Sequence, residues 1–390
     1  MEWQPEVKQL YDKLVFKMPD MVKPVIAPEL LQAAEIKCKE RSGKEVTEYD
    51  LIVALFEITP TAFQPVVMED LKSFGVDYDR YLSKIEGNFK CKNDLDQMVK
   101  DFAKICEFTG VKFNEDTIWK AFNAYKEFFT GAPVSIRTTT KPVERRDVAI
   151  RYVEFFMPHN PDPYTRAINE GLIEKGGHPI HDMIVEAMDT FQMMGYGVDV
   201  DASTGFSKIW PFIVPGSIEP LFSMKSAPES MKKYRDYFIM HGLTDFSLFA
   251  FDFLHKTTNI YFMLKRPPKA TYEYCIALVE DLGFEAASKE AMEGCLTAAH
   301  LNYTFSWDSD RIERLCFGMA CDTPEEVPLH FHPLMKEFVE KTPLQSDSRK
   351  FIWGMTFSQK EFYYKIENDY NGTMVDFIGM GCKAGIESYK

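Results

Sequence analysis

Basic side chains accompany a repeated pattern of strand-like segments in this chain. Pairs of such segments open at positions spaced by about 50 residues, a period typical of internal repeats. These positions are Val134, Val198, Phe246, His300 and Phe351. The basic residues in or beside the pairs are Arg137, Arg151, Lys208, His255, Lys256, Arg314 and Lys365. Because alternate residues of a strand face opposite sides, a closed sheet would direct such residues into a common lumen. The pattern therefore predicts a ring of cations that binds a polyanion.

The overall composition limits what that polyanion is. The chain has 390 residues, of which 45% are hydrophobic and 27% charged, with a formal net charge of -14. This charge argues against nucleic acid or an anionic membrane as partner and favours a small phosphate-bearing molecule. No apolar run is long enough to span a membrane, the first residues lack a signal-peptide layout, and the eight cysteines contain no C-x-x-C pair. These features predict a cytoplasmic protein with reduced thiols.

Hydrophobic periodicity divides the chain into two parts. From residue 6 to about residue 84, apolar residues recur at spacings of three and four, which predicts helices, and Thr47 with Asp50 resembles a helix N-terminal capping pair. A glycine-containing and charged stretch follows and is typical of a linker. We therefore predict a small all-α domain over residues 1–86 and a second domain over residues 87–390.

The second domain repeats an order of two helices followed by two strands. Five such ααββ units would supply ten antiparallel strands, and these can close into a barrel inside a ring of helices, which removes exposed sheet edges. The predicted fold class is α+β, a ten-stranded antiparallel barrel with a helical N-terminal domain.

Several segments of the second domain match a known family in order and spacing. They are DPYTRAINEGLIEKGGHPIHDM, STGFSKIW, FDFLHKTTNIYF, IERLCFGM and KTPLQSDSRKFIWGMTFSQKEFYYK. From about Asp94 to the end, the chain resembles the soluble aromatic prenyltransferases of the ABBA, or PT-barrel, family. The resemblance implies a barrel whose lumen holds an allylic diphosphate and an aromatic acceptor, and an enzyme that transfers the prenyl group to the acceptor.

The resemblance also assigns a diphosphate site. The residues that fall where the family holds the diphosphate are Arg137, Arg151, Lys208, Asn259, Arg314 and Lys365. Guanidinium groups fork onto phosphate oxygens, ammonium groups give compact charge, and an amide adds a neutral donor. His255 stands where other members carry a lysine, and either His255 or the adjacent Lys256 would face the donor. A single strand cation is more often solvent-facing or ion-paired, but six such residues in register, five cations and one amide, favour the diphosphate site.

Two substitutions resemble the metal-independent branch of the family. Ala149 stands where magnesium-dependent members have an aspartate, and Arg151 replaces a small polar residue two positions later. An arginine would supply the charge that magnesium supplies elsewhere. No DDxxD or NDxxD motif occurs, and we interpret the pairs His178 with His181 and His330 with His332 as structural. The resemblance therefore implies no metal and no cofactor.

The remaining site residues concern the prenyl group and the proton. Trp210 and Tyr261 match positions that shield the prenyl chain, and we assign the same role with less support to Phe251, Tyr303 and Trp353. Glu367 corresponds to an acidic residue of the metal-independent branch. It would accept the proton that the acceptor loses or orient the acceptor. The alternative is a salt-bridge partner of Lys365.

The leading functional hypothesis is a metal-independent transfer of a dimethylallyl group to a phenolic or nitrogen-containing ring. Geranyl diphosphate is the alternative donor, and a non-catalytic protein that binds isoprenoid diphosphates is the alternative function. The N-terminal segment faintly resembles the small C-terminal module of a protochlorophyllide reductase subunit. It would dock to another protein or cover the barrel mouth.

Overall fold

The computed structural model of the chain describes residues 1–18, 23–41, 43–59, 64–78, 81, 92–154, 159–264 and 271–375. Three clusters of buried apolar side chains occur among them, one within residues 7–78, a larger one within residues 95–370 and a small one within residues 153–375. The predicted domain boundary at residue 86 lies outside the described residues, so the division into two domains stays a prediction. None of the described helices has the length and apolar character needed to cross a bilayer.

The N-terminal part is mainly helical, as its periodicity indicates. Its elements are β1 (Glu2–Trp3), α1 (Pro5–Lys17), α2 (Lys23–Glu40), β2 (Glu45–Val46), α3 (Glu48–Ile58) and α4 (Gln64–Ser73). The predicted capping pair is confirmed, because the Thr47 backbone N–H donates to the Asp50 carboxylate over 2.8 Å at the start of α3. Arg41 also contacts the fully buried Asp50, so this carboxylate joins the end of α2 to the start of α3.

A closed barrel of ten antiparallel strands follows. The strands are β3 (Val134–Thr139), β4 (Val148–Glu154), β5 (Met193–Asp201), β6 (Gly205–Ser217), β7 (Asp245–Asp252), β8 (Thr257–Met263), β9 (His300–Ser306), β10 (Arg314–Cys321), β11 (Phe351–Phe357) and β12 (Phe362–Asp369). Each strand pairs with its neighbours in the chain, and β12 pairs with β3 to close the sheet. The predicted ten-stranded barrel is confirmed.

Helices lie between successive strand pairs and cover the outer face of the sheet. They are α5 (Leu95–Thr109), α6 (Glu115–Ala124), α7 (Lys126–Gly131), α8 (Pro163–Asn169), α9 (Ile180–Thr190), α10 (Glu219–Ser223), α11 (Glu229–Lys233), α12 (Arg235–Met240), α13 (Tyr272–Glu280), α14 (Lys289–Gly294) and α15 (Pro333–Lys341). Within the described ranges, 3-10 turns lie at Val143–Arg145, Cys295–Thr297, Pro324–Glu326 and Leu329–Phe331. Apolar side chains of these helices and of the outward-facing strand positions form the larger buried cluster.

The ends of α5 show how the sequence sets these helices. Asp94 precedes the helix and its carboxylate accepts from the Gln97 backbone N–H over 3.1 Å. Gly110 follows the helix with φ of 74°, a left-handed conformation that glycine adopts without steric cost. Between these caps the apolar residues lie on one face, which packs against the barrel.

Gly318 in β10 marks a close approach inside the barrel. A Cβ atom built on Gly318 would overlap the imidazole of His300, with the ring Cδ2 at 2.9 Å and two further ring atoms nearer still. His300 is the register partner of Gly318 on β9, so the two residues share one face of the sheet. The imidazole therefore occupies the space that a side chain at position 318 would fill.

We expect the substitution Gly318→Ala to lower the free energy of unfolding by about 2 kcal/mol, because the added methyl group forces the His300 ring aside. Equilibrium unfolding in urea would measure the change. Gly216→Ala serves as the matched control, since its Cβ would meet only the Val214 carbonyl at 3.6 Å. The double variant Gly318→Ala with His300→Ala should regain most of the loss, and an equal loss in the single and double variants would contradict the explanation.

Candidate active site

The strand register gathers the predicted diphosphate-binding residues on one face of the barrel. Arg137 lies opposite Ala149 and Glu367, and Arg151 lies opposite Asp199. The same register continues around the barrel through the pairs Asp199–Lys208, Lys208–Asp252, Asn259–Thr304, Arg314–Thr304 and Gly354–Lys365. The opposite face of each strand packs against the helices, so this shared face lines the lumen.

Asp199 is the anionic centre of the lumen. It is fully buried, and its Oδ1 accepts a hydrogen bond from Trp210 Nε1 over 2.7 Å. Its carboxylate also lies 3.1 Å from Arg151 Nε and 3.6 Å from Arg137 Nη2. One carboxylate on β5 thus fixes two guanidinium groups and an indole, each on a different strand.

The basic residues of this lumen face, Arg137, Arg151, Lys208, Arg314 and Lys365, form a cationic belt. Two further carboxylates neutralise cations of this belt. Asp147 Oδ2 lies 2.6 Å from Arg137 Nη1, and Asp252 Oδ2 lies 3.1 Å from Lys208 Nζ. Burial opposes ionisation of both acids, but the Arg137 and Lys208 charges hold the pKa of Asp147 well below its usual value, and Lys208 does the same for the pKa of Asp252. Both carboxylates are therefore ionised at neutral pH.

Two cations of the lumen lack such compensation. Arg314 Nε donates to Thr304 Oγ1 at 3.4 Å, and neither Arg314 nor Lys365 forms an ion pair within the described part of the chain. Burial lowers the pKa of the Lys365 ammonium, and the Arg137 and Arg314 charges add to that effect, although Cys316 opposes them. Positive charge in excess of its counter-charge is thus concentrated at this part of the wall, which suits an anionic ligand.

An aromatic wall adjoins the cations. The Arg151 guanidinium carbon lies 4.3 Å from the centre of the Trp210 ring, and the Trp210 and Tyr261 ring centres are 5.3 Å apart. These two rings belong to a separate buried apolar cluster within the lumen, whose members are Val153, Trp210, Phe212, Leu248, Ala250, Tyr261, Ile352, Met374 and Val375. The lumen therefore has a cationic region and an apolar, aromatic region, and Trp210 borders both.

Glu367 lies on the lumen face with partners other than the one expected. Its Oε1 accepts from Ser135 Oγ over 2.5 Å, and its Oε2 lies 3.5 Å from Arg151 Nη1. The alternative reading paired Glu367 with Lys365, but the observed ion pair is with Arg151 on a different strand. The carboxylate is positioned to orient Arg151 as well as to meet a ligand.

Three predicted contacts of the substrate do not line the lumen. Phe251, Tyr303 and Trp353 lie at the alternate strand positions, opposite Ile209, Leu315 and Met319 respectively. Tyr303 packs against Phe238 of α12 with ring centres 5.0 Å apart, and Trp353 packs against Phe331 at 5.9 Å. The expectation that they face the substrate is corrected, because the period of two places them on the outer face.

His255 and Lys256 lie in the turn that joins β7 to β8, not in the barrel wall. The His255 side chain is 60% exposed, and its Nδ1 lies 3.0 Å from Asp252 Oδ2. Lys256 adopts the left-handed conformation with φ of 55°. Burial, followed by the Lys256 charge, lowers the pKa of both His178 and His181. Diphosphate binding by either turn residue stays a prediction.

The H-x-x-H and H-x-H pairs have structural contacts. His181 Nδ1 lies 3.1 Å from the Tyr164 hydroxyl, and His332 Nδ1 accepts from the Leu334 backbone N–H at the start of α15. Among the described residues, no group of three or more metal-ligating side chains is placed to hold an ion.

The sequence reasoning missed the acidic partners and one histidine. Asp199 and Asp252 lie at the same alternation as the cations that they neutralise, in the runs VDVD and FDF, so the period of two carried a signal for them. His300 also faces the lumen, where its ring lies 5.7 Å from the Tyr261 ring centre. Nothing in the spacing of His300 distinguished it.

Comparison with known proteins shows which sequences this chain is similar to. A family model described as aromatic prenyltransferase Orf2 matches residues 93–380. The chain is 26% identical over 278 residues to the 5,10-dihydrophenazine-1-carboxylate 9-dimethylallyltransferase of Streptomyces anulatus, covering 70% of this chain and 92% of that protein. It is 26% identical over 276 residues to the flaviolin linalyltransferase of Streptomyces virginiae, covering 69% of this chain and 91% of that protein.

Among solved structures, the NotF prenyltransferase matches with a TM-score of 0.43 and 11% identity over 72% of this chain and 96% of that one. The matched family region begins at residue 93. It leaves the N-terminal helices unassigned, and the resemblance of these helices to a protochlorophyllide reductase module has no support.

We expect the substitution Lys365→Met to raise the free energy of unfolding of the ligand-free protein by about 1 kcal/mol at pH 7, because it removes a partly buried charge that has no counter-charge. The pKa of Lys365 in the folded protein lies below its value in the unfolded chain. The free-energy cost of holding the charged ammonium in the lumen is therefore fully present below the folded pKa. It disappears as the pH rises through the interval between the two pKa values.

Urea unfolding at pH 7 and pH 9.5 would therefore show the advantage of Lys365→Met shrinking with pH. Lys100→Met, at an exposed position of α5, is the matched control and should leave stability unchanged. A Lys365→Met protein that is less stable than the wild type at pH 7 would show that this charge is compensated after all.

Proposed function

The chain belongs to the aromatic prenyltransferase family, and from this premise we propose that it transfers a dimethylallyl group from dimethylallyl diphosphate to an electron-rich aromatic small molecule, without a divalent metal and with release of pyrophosphate. The acceptor is a phenolic or nitrogen-containing ring. The observation that carries the proposal is the pair of uncompensated cations, Arg314 and Lys365, in a lumen that also has an aromatic and apolar region.

The charge distribution suits the ionisation of an allylic diphosphate. Breaking the carbon–oxygen bond leaves a carbocation and a pyrophosphate, and each must be stabilised while water is kept away. Arg314 and Lys365 offer the charge for the pyrophosphate, and Lys208 adds its ammonium on the same face. The Trp210 and Tyr261 rings lie beside this belt, where their π faces would stabilise the developing cation.

The bulk beside Trp210 favours a five-carbon donor. Phe212 and Leu248, which lie opposite each other on β6 and β7, fill the apolar cluster next to the indole. A longer prenyl chain needs more of this space than a dimethylallyl group does. The relative from Streptomyces anulatus is named a dimethylallyltransferase, whereas the one from Streptomyces virginiae is named a linalyltransferase. Geranyl diphosphate is therefore the second candidate donor.

Two positions on β4 support independence from magnesium. Ala149 faces the lumen opposite Arg137 and carries no ligand atom. Arg151, two residues later on the same face, presents its guanidinium over Trp210, where a fixed positive charge can act on the diphosphate. The permanent charge of an arginine replaces the metal in this proposal.

The N-terminal helical segment has no assigned part in this reaction. Docking to another protein and covering the barrel mouth both stay predictions, as does a cytoplasmic location.

We expect purified protein to prenylate members of a panel of phenols and nitrogen heterocycles with dimethylallyl diphosphate in the presence of excess EDTA. Mass spectrometry of the products would show the added mass of one dimethylallyl group. Activity that requires added magnesium would contradict the metal-independent assignment. Tight donor binding without product from any acceptor would favour the second hypothesis, a protein that only binds isoprenoid diphosphates.

Binding of a non-reactive thio analogue of the donor tests the cation pair directly. We expect Arg314→Ala and Lys365→Ala each to weaken binding by about tenfold to a hundredfold, because each removes a charge-assisted contact worth about 1.5–3 kcal/mol. Calorimetric titration gives the affinity, and Lys100→Ala should bind as the wild type does. Unchanged affinity in both lumen variants would remove the basis of the proposed site.

A reciprocal exchange on β4 tests the role of Arg151. The single change Arg151→Ser should abolish most turnover, whereas the pair Ala149→Asp and Arg151→Ser should restore part of it only when magnesium is supplied. Ala149→Asp alone is the control, since the new carboxylate would pair with Arg151 and lower turnover without creating a magnesium requirement. Wild-type rates in EDTA from the double variant would show that Arg151 does not replace a metal.

A further inference from the structure

The His300 imidazole faces the lumen without a hydrogen-bond partner. His300 opens β9, and its register partners are Met263 on β8 and Gly318 on β10. Arg314 of the cationic belt lies on the same face of β10, and its register partner on β9 is Thr304. Within the described part of the chain, neither ring nitrogen of His300 forms a hydrogen bond or an ion pair. A polar ring has thus been placed in the substrate cavity with its bonding capacity unused.

The surrounding side chains hold the ring in place. On one side the imidazole occupies the space over Gly318, where no side chain competes with it. On the other side it packs against Tyr261, at 5.7 Å between ring centres and an interplanar angle of 41°. Tyr261 in turn packs against Trp210. His300 therefore extends the aromatic wall that the proposed function assigns to the prenyl cation.

The charged groups near His300 keep it neutral. Lys365 on β12 and Arg151 on β4 act on it across the lumen. The charged or titratable lumen-facing groups of the flanking strands are Tyr261 on β8 and Arg314 and Cys316 on β10. Burial, followed by the Lys365 and Arg151 charges, lowers the pKa of His300 to about 4. The ligand-free protein therefore presents an imidazole with a free lone pair at neutral pH.

We propose that His300 is the catalytic base of the prenyl transfer, accepting a hydrogen bond from an O–H or N–H group of the aromatic acceptor and taking the proton that the acceptor loses. The inference rests on the proposed function. It also defines the acceptor class more narrowly, since an aromatic ring without an ionisable O–H or N–H group cannot use this contact.

The step balances in bonds and charge. The carbon–oxygen bond of the donor breaks and its electron pair leaves with pyrophosphate. The acceptor supplies the electron pair of the new bond to the allylic carbon, and the single proton that it loses passes to the imidazole nitrogen. The imidazolium returns this proton to pyrophosphate or water as the products leave. No oxidant, reductant or metal is needed.

Donor binding activates this base. The charges that hold down the basicity of His300 belong to Lys365 and Arg151, and a pyrophosphate group beside them offsets their field. The imidazole is thus a weak base in the empty lumen and a stronger one once the donor is present. Proton removal from the acceptor is thereby coupled to the presence of the electrophile.

Glu367 is a less suitable base for the same proton. Its two carboxylate oxygens already accept a hydrogen bond from Ser135 and contact Arg151. Taking a proton would break the charge balance that holds the Arg151 guanidinium over Trp210. Glu367 is therefore a positioning residue for Arg151, and His300 is the lumen base with a free acceptor atom.

The test compares single-turnover rates at saturating donor across pH 4.5–9. The wild-type rate should fall towards low pH as His300 becomes protonated. His300→Gln keeps a hydrogen-bonding side chain without a basic nitrogen, so it should lower the rate by about a hundredfold or more and lose the acid limb, while donor affinity stays within about twofold. His330→Gln, at an exposed histidine, is the matched control and should leave rate and profile unchanged.

The possible outcomes separate the inference from the function on which it rests. No product from the wild type with any acceptor would overturn both. Product formation with the same rate and pH profile in His300→Gln would overturn the inference alone, and so would a Glu367→Gln variant that loses the acid limb. Should His300→Gln fail to fold, His300→Asn carries the same expectations with a smaller side chain at the Gly318 contact.

Discussion

The compensation of buried charge is the constraint on which this barrel depends. Five basic side chains share one lumen, and an uncompensated ion inside a protein costs several kcal/mol. Asp147, Asp199 and Asp252 relieve that cost for Arg137, Arg151 and Lys208 through contacts between 2.6 and 3.6 Å. The compensation stops short of Arg314 and Lys365. The fold thus tolerates a local excess of positive charge, and the proposed diphosphate donor would remove this excess on binding.

The alternation of the strands explains how such different surfaces share one sheet. Odd positions of β3, β4 and β12 bring charged side chains inward, while the positions between them pack apolar groups against the helices. Gly318 and Gly354 lie side by side on β10 and β11 and leave that part of the inner wall without side chains. His300, the register partner of Gly318 on β9, projects into the space over that glycine, and Cys316 Sγ lies 3.2 Å from where a Cβ on Gly354 would be. Closure of the sheet then sets cationic and aromatic regions beside each other.

The sequence predicted the barrel and its cation belt because both follow from period. Repeats of about 50 residues and alternation by two placed Arg137, Arg151, Lys208 and Lys365 on one face, and the structure agrees. The prediction put Phe251, Tyr303 and Trp353 on the wrong face of the sheet, because large aromatic residues occur on either face. Residue type alone does not reveal which alternate positions of a strand face the lumen. The partners of the charges were missed for another reason. Whether Glu367 pairs with Lys365 or with Arg151 depends on which strands are neighbours where β12 and β3 close the barrel. A single sequence does not show this.

A fixed arginine and a bound metal impose different demands on a diphosphate site. Magnesium arrives with the diphosphate, so an empty metal-dependent site carries no cation in need of compensation. The Arg151 guanidinium is present before the donor binds, and it must be neutralised in the resting protein. Asp199 and Glu367 meet that demand, and both lie on strands adjacent to the β3–β4 pair rather than beside Arg151 on its own strand. In the proposed metal-independent site, the charge of Arg151 is therefore balanced from two other strands, and the carboxylates that look like candidate acids and bases serve first to hold the arginine in place.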